Sequence, residues 1–156
     1  MPHDLDRLDR ALLAALQRDG RISNRELADR VHLSPPACLT RVRRLEEAGV
    51  IQGYHAVLDR RRLGLDNLCF IELSLELHQH DRIATILDRI TALPEVLECH
   101  HLTGEYDYLL KVAVANTEAL HRFISGRLIP IPGIARIHTS VVLKEIKLST
   151  ALPLPP

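Results

Sequence analysis

The chain has 156 residues, enough for one large or two small domains, and 46% are hydrophobic, which excludes a disordered chain. Its 20 Lys and Arg balance its 20 Asp and Glu, which argues against a generic nucleic-acid binder with a uniformly basic surface. The charge is unevenly placed, however, since residues 1–62 carry 12 basic and 9 acidic side chains, whereas residues 63–156 carry 8 and 11.

Two short helices are predicted at the start of the chain. Leucines recur at helical spacing in the first of them: Leu5, Leu8, Leu12 and Leu16. Gly20 can end this helix. Ser23 and Glu26 then have the spacing of a capping box, which predicts a second helix of about two turns.

A third helix is predicted from Pro35 to the residues before Gly49, after a brief turn at His32-Leu33. Ser34 suits the cap, Pro35 the first helical position, and Gly49 the left-handed residue that follows the last turn. Cys38, Val42 and Leu45 share an apolar stripe, and arginines lie opposite it. Two helices joined by a tight turn, the second with a basic outer face, are the layout of a helix-turn-helix that reads the major groove of double-stranded DNA.

The candidate DNA contacts are the start and the outer face of this third helix: Ser34, Pro35, Thr40, Arg41, Arg43 and Arg44. Arginine can grip a phosphate or bind guanine with two parallel hydrogen bonds. The alternative is a merely solvated basic face. The six arginines between Arg21 and Arg44, against Glu26 and Asp29, favour DNA.

The segment that follows is predicted to connect two domains. Residues 50–58 have the composition of a strand, either a wing or an arm to the next domain. Asp59-Arg60-Arg61-Arg62 is interpreted as a solvated, charged joint, with phosphate contact as the alternative.

The remainder of the chain predicts the order βαββαβ. Alternating residues predict strands over 71–77, 96–103, 108–114 and 134–147, and helical stripes occur over 83–90 and 120–128. Leu93-Pro94-Glu95-Val96 and Ile131-Pro132-Gly133-Ile134 repeat one pattern, which supports a ferredoxin-like sheet with both helices on one face. The other face has polar or mixed positions, including Glu72, His101 and Lys111, and a partner subunit could cover it. The tail is expected to fray.

Gly104-Glu105-Tyr106-Asp107 allows two interpretations. One is a hairpin turn in which glycine supplies a positive φ and Asp107 bonds locally. The other is a ligand pocket whose free amides hold a carboxylate while Asp107 holds an ammonium group, as an α-amino acid requires.

Several motifs together resemble the Lrp/AsnC family of transcription regulators, and its leucine-responsive branch in particular. They are Leu5-Asp6-Arg7-Leu8-Asp9-Arg10, Gln17 to Asn24, Leu33-Ser34-Pro35, Arg41 to Glu46, Gly49 to Tyr54, and Gly104 to Tyr108. The resemblance implies homodimers that assemble into tetramers or octamers, and an amino-acid effector. The implied effector residues are Thr103, Gly104, Tyr106 and Asp107, with His138 and Thr139 as a facing wall.

We therefore expect an α+β protein with a winged-helix-like helix-turn-helix domain over residues 1–50, a linker over 51–66, a ferredoxin-like βαββαβ domain over 67–148 and a tail over 149–156. It would be a sequence-specific regulator that responds to a small amino acid, and the resemblance to the leucine-responsive branch suggests a branched or apolar one. An effector-independent architectural DNA-organising protein is the alternative. A third hypothesis is an enzyme fused to a binding module, but the sequence has no phosphate loop or nucleophile elbow.

Neither a metal site nor a membrane segment is expected. His100 and His101 are adjacent on a strand and point to opposite faces, while His78 and His80 have no ligand set around them. The three cysteines, Cys38, Cys69 and Cys99, are predicted to be reduced, buried thiols. No stretch approaches the roughly 20 apolar residues of a membrane span, and the start Met1-Pro2-His3-Asp4 is not a signal peptide. A soluble, cytoplasmic protein without a cofactor is expected.

Overall fold

A computed structural model describes residues 5–76 and 82–154 of the chain. One compact unit comprises the chain up to Val57 together with the segment from Lys147 onward, and the other spans Leu58–Ile146. The predictions for residues 1–4, Leu77, His78, His80 and the two last prolines lie outside the described residues. The domain boundaries at 50, 66 and 148 stay predictions.

The first unit contains three helices: α1 (Arg7–Arg18), α2 (Asn24–Arg30) and α3 (Pro35–Glu47). Each begins at a side-chain cap. Ser23 and Glu26 form the predicted capping box on α2, and the Ser34 hydroxyl accepts a hydrogen bond from the Ala37 amide. Asp6 and Asp9 form a second capping box on α1. These caps satisfy amides that have no partner within the helix.

The three helices pack around a small aliphatic core. Its buried members are Leu12, Ala15, Leu27, Ala28, Val31 and Cys38. The tight turn between α2 and α3 depends on His32, whose φ is 56°. This left-handed conformation costs a non-glycine residue about 1–2 kcal/mol. Gly49, with a φ of 70°, follows α3 as predicted.

The strand predicted over residues 50–58 is wrong for this chain. Its first two amides, from Val50 and Ile51, donate to the carbonyl of Leu45 instead, and no strand of the described residues lies beside this segment. A strand needs such a neighbour to satisfy its backbone groups. Tyr54 fixes the segment, since its hydroxyl lies 3.1 Å from a Glu46 carboxylate oxygen.

The second unit has the predicted βαββαβ order. Its elements are β1 (Asn67–Leu75), α4 (Ile83–Thr91), β2 (Val96–His101), β3 (Tyr108–Val114), α5 (Thr117–Phe123), one π-helical turn (Ile124–Leu128) and β4 (Ile134–Val141). The strands form an antiparallel sheet in the order β2-β3-β1-β4. This is a ferredoxin-like arrangement with β2 and β4 at the two edges.

Both helices pack on one face of this sheet. The shared core contains Cys69, Ile71 and Leu73 from β1, Tyr108, Leu110 and Val112 from β3, and Ile86, Ile90, Leu120 and Phe123 from the helices. β4 ends at Val141 instead of Lys147. The reason is that Val141 pairs with Cys69 and the Val142 amide with the Leu68 carbonyl, which brings β4 to the start of its neighbour β1.

The face of the sheet opposite the two helices, here called the open face, differs from the prediction at one histidine. His101 pairs with Tyr108 and stacks on its ring, with centroids 4.9 Å apart, so it lies on the helix-bearing side. His100 is the histidine on the open face, where it lies 3.0 Å from Glu98. Glu98 also accepts from Lys111. The two adjacent histidines therefore point to opposite faces, as predicted.

Two segments expected to be solvated have definite partners. Arg60 donates to the carbonyls of Leu65 and Asp66 and pairs with Glu145 at 2.7 Å, so this arginine organises the chain before β1 instead of forming a free joint. In the tail, the Gln17 side-chain amide accepts from the Leu152 amide at 2.6 Å and donates to the Leu152 carbonyl at 3.2 Å. The tail is docked on α1 rather than frayed.

Candidate DNA interface and ligand site

Helix α3 presents one buried and one solvent-exposed face. Cys38 and Leu45 are buried in the first unit. The predicted DNA contacts lie on the other side or at the helix start, and Ser34, Pro35, Thr40, Arg43 and Arg44 are all exposed. The Arg41 side chain is only 27% exposed, because it lies on the flank of the helix.

The start of α3 is oriented by hydrogen bonds that use part of its polar surface. The Asn24 amide nitrogen on α2 donates to the Pro35 carbonyl at 2.9 Å, which joins the two helices across the turn. The Thr40 hydroxyl donates to the Pro36 carbonyl at 3.0 Å. Thr40 therefore offers its oxygen as an acceptor and its methyl group as an apolar contact.

Asp9 of α1 binds two arginines of α3. Its two carboxylate oxygens lie 2.8 Å from Arg41 and 2.5 Å from Arg44, and the Asp9 side chain is 1% exposed. Arg41 also pairs with Asp6 at 2.6 Å. A buried carboxylate is tolerated because cations and hydrogen bonds compensate its charge. These pairs fix the side of α3 that faces α1.

The same network changes the pKa of its more exposed members. The amide of Asp9, together with the guanidinium of Arg41, lowers the pKa of the Asp6 carboxyl below its ordinary value. The carboxylates of Asp6 and Asp9 raise the pKa of Arg41. Asp9 was not predicted as a positioning residue, although an acid on the apolar stripe of Leu5, Leu12 and Leu16 was the available signal.

Arg43 differs from its two neighbouring arginines. It is exposed, and within residues 5–76 and 82–154 it has no hydrogen-bond or ion-pair partner. On a helix it shares a stripe with Thr40, Leu39 and Pro36, which lie three, four and seven residues before it. Arg43 therefore presents its whole donor set to whatever α3 contacts.

The second unit has an open depression beside edge strand β4. It is lined by Tyr106, Arg136, Ile137, His138 and Thr139. The Arg136 guanidinium lies 5.3 Å from the Tyr106 ring centroid, and the His138 ring meets Tyr106 edge-on at 6.0 Å. The structure thus brings three of the predicted effector residues together: Tyr106, His138 and Thr139.

Two residues of the depression, Arg136 and Ile137, were not predicted. Arg136 also pairs with Glu105 at 3.2 Å, which ties the turn to β4. The available signal was the two-residue period of a strand, because it places Arg136 on the same face as His138. A guanidinium beside an aromatic ring can bind a carboxylate, whereas the side chain of Ile137 packs towards the core on the other face of β4.

The other predicted effector residues lie outside the lining. Thr103 and Gly104 are exposed, and Gly104 has the positive φ, 131°, that the turn requires. The side chain of Asp107 is tied to β1 rather than to its own turn, since its Oδ2 accepts from the Leu75 amide at 2.7 Å. Among the described residues, Asp107 Oδ1 has no hydrogen bond.

The described residues show neither a metal-ligand cluster nor a membrane-spanning helix. Within residues 5–76 and 82–154, no three His, Cys, Asp or Glu side chains are grouped as metal ligands. None of the helices in that part of the chain has the length and apolar character needed to cross a bilayer. Burial raises the pKa of the thiols of Cys38, Cys69 and Cys99, which is typical of unreactive structural cysteines.

Both units match known protein families. Residues 5–52 match the winged helix-turn-helix DNA-binding family, and residues 68–152 match the Lrp/AsnC ligand binding domain. The leucine-responsive regulatory proteins of Klebsiella pneumoniae and Escherichia coli K12 are each 44% identical to this chain over 149 residues, covering 96% of it and 91% of the relative.

Solved structures agree with these matches. A transcriptional regulator of Neisseria meningitidis in complex with L-Met has a TM-score of 0.92 and 39% identity, and the match covers 96% of each chain. A feast or famine regulatory protein of Mycobacterium tuberculosis complexed with L-methionine has a TM-score of 0.87 and 33% identity, with 97% of this chain and 99% of the other covered.

Proposed function

The chain belongs to the Lrp/AsnC family of DNA-binding transcription regulators, which are not enzymes, and on that premise we propose how its residues bind DNA and an amino acid. The proposed DNA binding rests on the exposed polar face of α3, which Asp9 holds in place. We assign the contacts with duplex DNA to Ser34, Pro35, Thr40, Arg41, Arg43 and Arg44.

The effector of this chain is a free α-amino acid, and its site includes the depression along β4. The L-methionine complexes of two relatives support this assignment. Oδ1 of Asp107 would accept from the ammonium group, while Arg136 or the amides around Gly104 would bind the carboxylate. The ring of Tyr106 offers an apolar wall, which favours a branched or otherwise apolar side chain.

The protein acts as a homodimer that assembles further into a tetramer or octamer, in the cytoplasm. Exposed apolar side chains on the sheet, Phe70 and Leu97, support a subunit contact there. A dimer carries two reading helices, so it would prefer partly palindromic sites with half-sites about 34 Å, one DNA turn, apart or a multiple of this. The amino acid would change DNA binding only if it prefers one assembly over another.

The effector part is tested by thermal unfolding of the full chain with each of the twenty amino acids. An amino acid that binds only the folded protein raises the unfolding midpoint. Asp107→Asn should abolish the shift, because it removes the negative charge at Oδ1 while retaining an acceptor for Leu75. Glu118→Gln changes an exposed side chain of α5, and as the matched control it should keep the shift.

Gel-shift assays on genomic fragments, with and without the amino acid that shifts the midpoint, test the regulatory part. The expected result is a change in affinity or in the size of the complex. A folded protein that responds to none of the twenty amino acids would contradict the effector proposal. Binding to all fragments alike would then favour an architectural DNA-organising role.

A further inference from the structure

The three arginines of α3 are not equivalent. Arg41 and Arg44 face two carboxylates of α1, Asp6 and Asp9, at distances of 2.5 to 2.8 Å. Their positive charges are therefore largely balanced within the protein. If either arginine left Asp9 to contact a base, the buried Asp9 carboxylate would lose a compensating positive charge. This is unfavourable because water solvates a buried charge poorly.

Arg43 has no such competing partner among the described residues, and it lies on a stripe of different chemistry. Pro36 is apolar, and Leu39 is 39% exposed in spite of being apolar. Thr40 has already donated its hydroxyl hydrogen to the helix backbone, so its methyl group completes this surface. Apolar groups of this size suit the base edges and thymine methyls of the major groove better than charged phosphates.

From this arrangement we propose that Arg43 is the base-reading arginine of the chain and selects guanine, whereas Arg41 and Arg44 hold α3 in its orientation. The guanidinium of Arg43 has two parallel donors for O6 and N7 of guanine, the pattern that makes arginine specific for this base. This inference rests on the proposed DNA-binding function and deepens it, because it assigns the sequence preference to one side chain.

The test is selection of binding sites from a random pool of duplex DNA by the full-length protein. Wild type, Arg43→Lys and Arg44→Lys are compared. Lysine keeps the positive charge but loses the two-donor fork. Wild type should enrich a guanine at one fixed position of each half-site. Arg43→Lys should lose that preference and bind the wild-type site about 10- to 100-fold more weakly, while its affinity for unrelated DNA stays within about threefold.

Arg44→Lys changes a proposed DNA contact one residue away on the same helix that already pairs with Asp9. It should weaken binding to all DNA alike but keep the guanine preference, so that the ratio of specific to non-specific affinity stays within about threefold of wild type. As a second readout, 7-deazaguanine at the selected position removes the N7 acceptor. It should weaken binding by wild type and by Arg44→Lys but leave Arg43→Lys unchanged.

Two results would overturn the assignment of Arg43. One is an unchanged guanine preference in Arg43→Lys, and the other is loss of the preference in Arg44→Lys. Failure of the proposed DNA function looks different, because the wild-type protein itself would then enrich no site at all. Since Arg43 is exposed and has no hydrogen-bond or ion-pair partner among the described residues, its replacement should leave the unfolding midpoint unchanged, and this is measured on the same samples.

Discussion

The buried carboxylate of Asp9 lies 2.5 Å from the guanidinium of Arg44, across the contact between α1 and α3. Asp9 is fully buried, whereas the Arg44 side chain is 58% exposed. The pair therefore joins the interior of the first unit to the face of α3 that is proposed to meet DNA. A change in the core at this point would alter the orientation of the reading helix.

Asp9→Ala is predicted to destabilise the first unit strongly. It leaves two arginines without their shared partner and removes the cap of α1 on the Asp6 amide. Breaking a buried ion pair costs about 3–5 kcal/mol of unfolding free energy, which urea denaturation measures. Glu118→Gln removes an exposed ion pair on α5 and serves as control, with an effect below about 1 kcal/mol. Equal small effects for both variants would contradict the structural role of Asp9.

The lowered pKa of Asp6 predicts that part of the unfolding free energy is lost in acid. Its pKa is lower in the folded protein than its ordinary value of 3.8, chiefly because the Asp9 amide and Arg41 favour the carboxylate. Its contribution is therefore fully present above pH 3.8 and is lost as the pH falls through the lower folded pKa. Urea midpoints at pH 5 and pH 3 should differ less for Asp6→Asn than for wild type. An equal change in urea midpoint between pH 5 and pH 3 in both proteins would refute this assignment.

The raised pKa of Tyr54 predicts that its hydroxyl loses its proton only in strong alkali. Burial, and secondarily the hydrogen bond to Glu46, raises its pKa from 10.0 to about 12. Because the neutral phenol is favoured in the folded state, its contribution is fully present below pH 10 and is lost as the pH rises towards 12. Tyrosinate absorbance should show a step near pH 12 that Tyr54→Phe lacks. A step at the ordinary value of 10.0 that Tyr54→Phe removes would be the opposite result.

The contact between Gln17 and Leu152 predicts that the tail is protected on α1. Gln17→Ala removes both hydrogen bonds and should lower the unfolding free energy by about 1 kcal/mol. Hydrogen exchange of the Leu152 amide should become several-fold faster. Gln17→Glu keeps the acceptor for that amide and should give an intermediate rate. An exchange rate that is already at the unprotected limit in wild type would show that the tail is free.

Several helix starts, the buried faces of strands and the order of the elements could be predicted from local sequence signals. Ser23 with Glu26, and Ser34 with Pro35, fixed where two helices begin, because a cap needs only residues within one turn. The alternation through Ile71 and Leu73 fixed a strand and its buried face, since side chains on a strand alternate. The βαββαβ order and the recognition helix followed from these local patterns.

Strand pairing, ion pairs and long-range hydrogen bonds were decided only by the tertiary structure, because their partners are distant in the sequence. Residues 50–58 have the composition of a strand, yet no neighbouring strand of the described chain pairs with them. Asp9 and Arg44 are 35 residues apart, and Gln17 and Leu152 are 135 apart. The sequence shows that α3 has three arginines, but only folding places a buried carboxylate against two of them, while Arg43 pairs with no residue in the described part of the chain. Ion pairs and hydrogen bonds depend on distances of a few ångströms, which helical and strand periods do not determine.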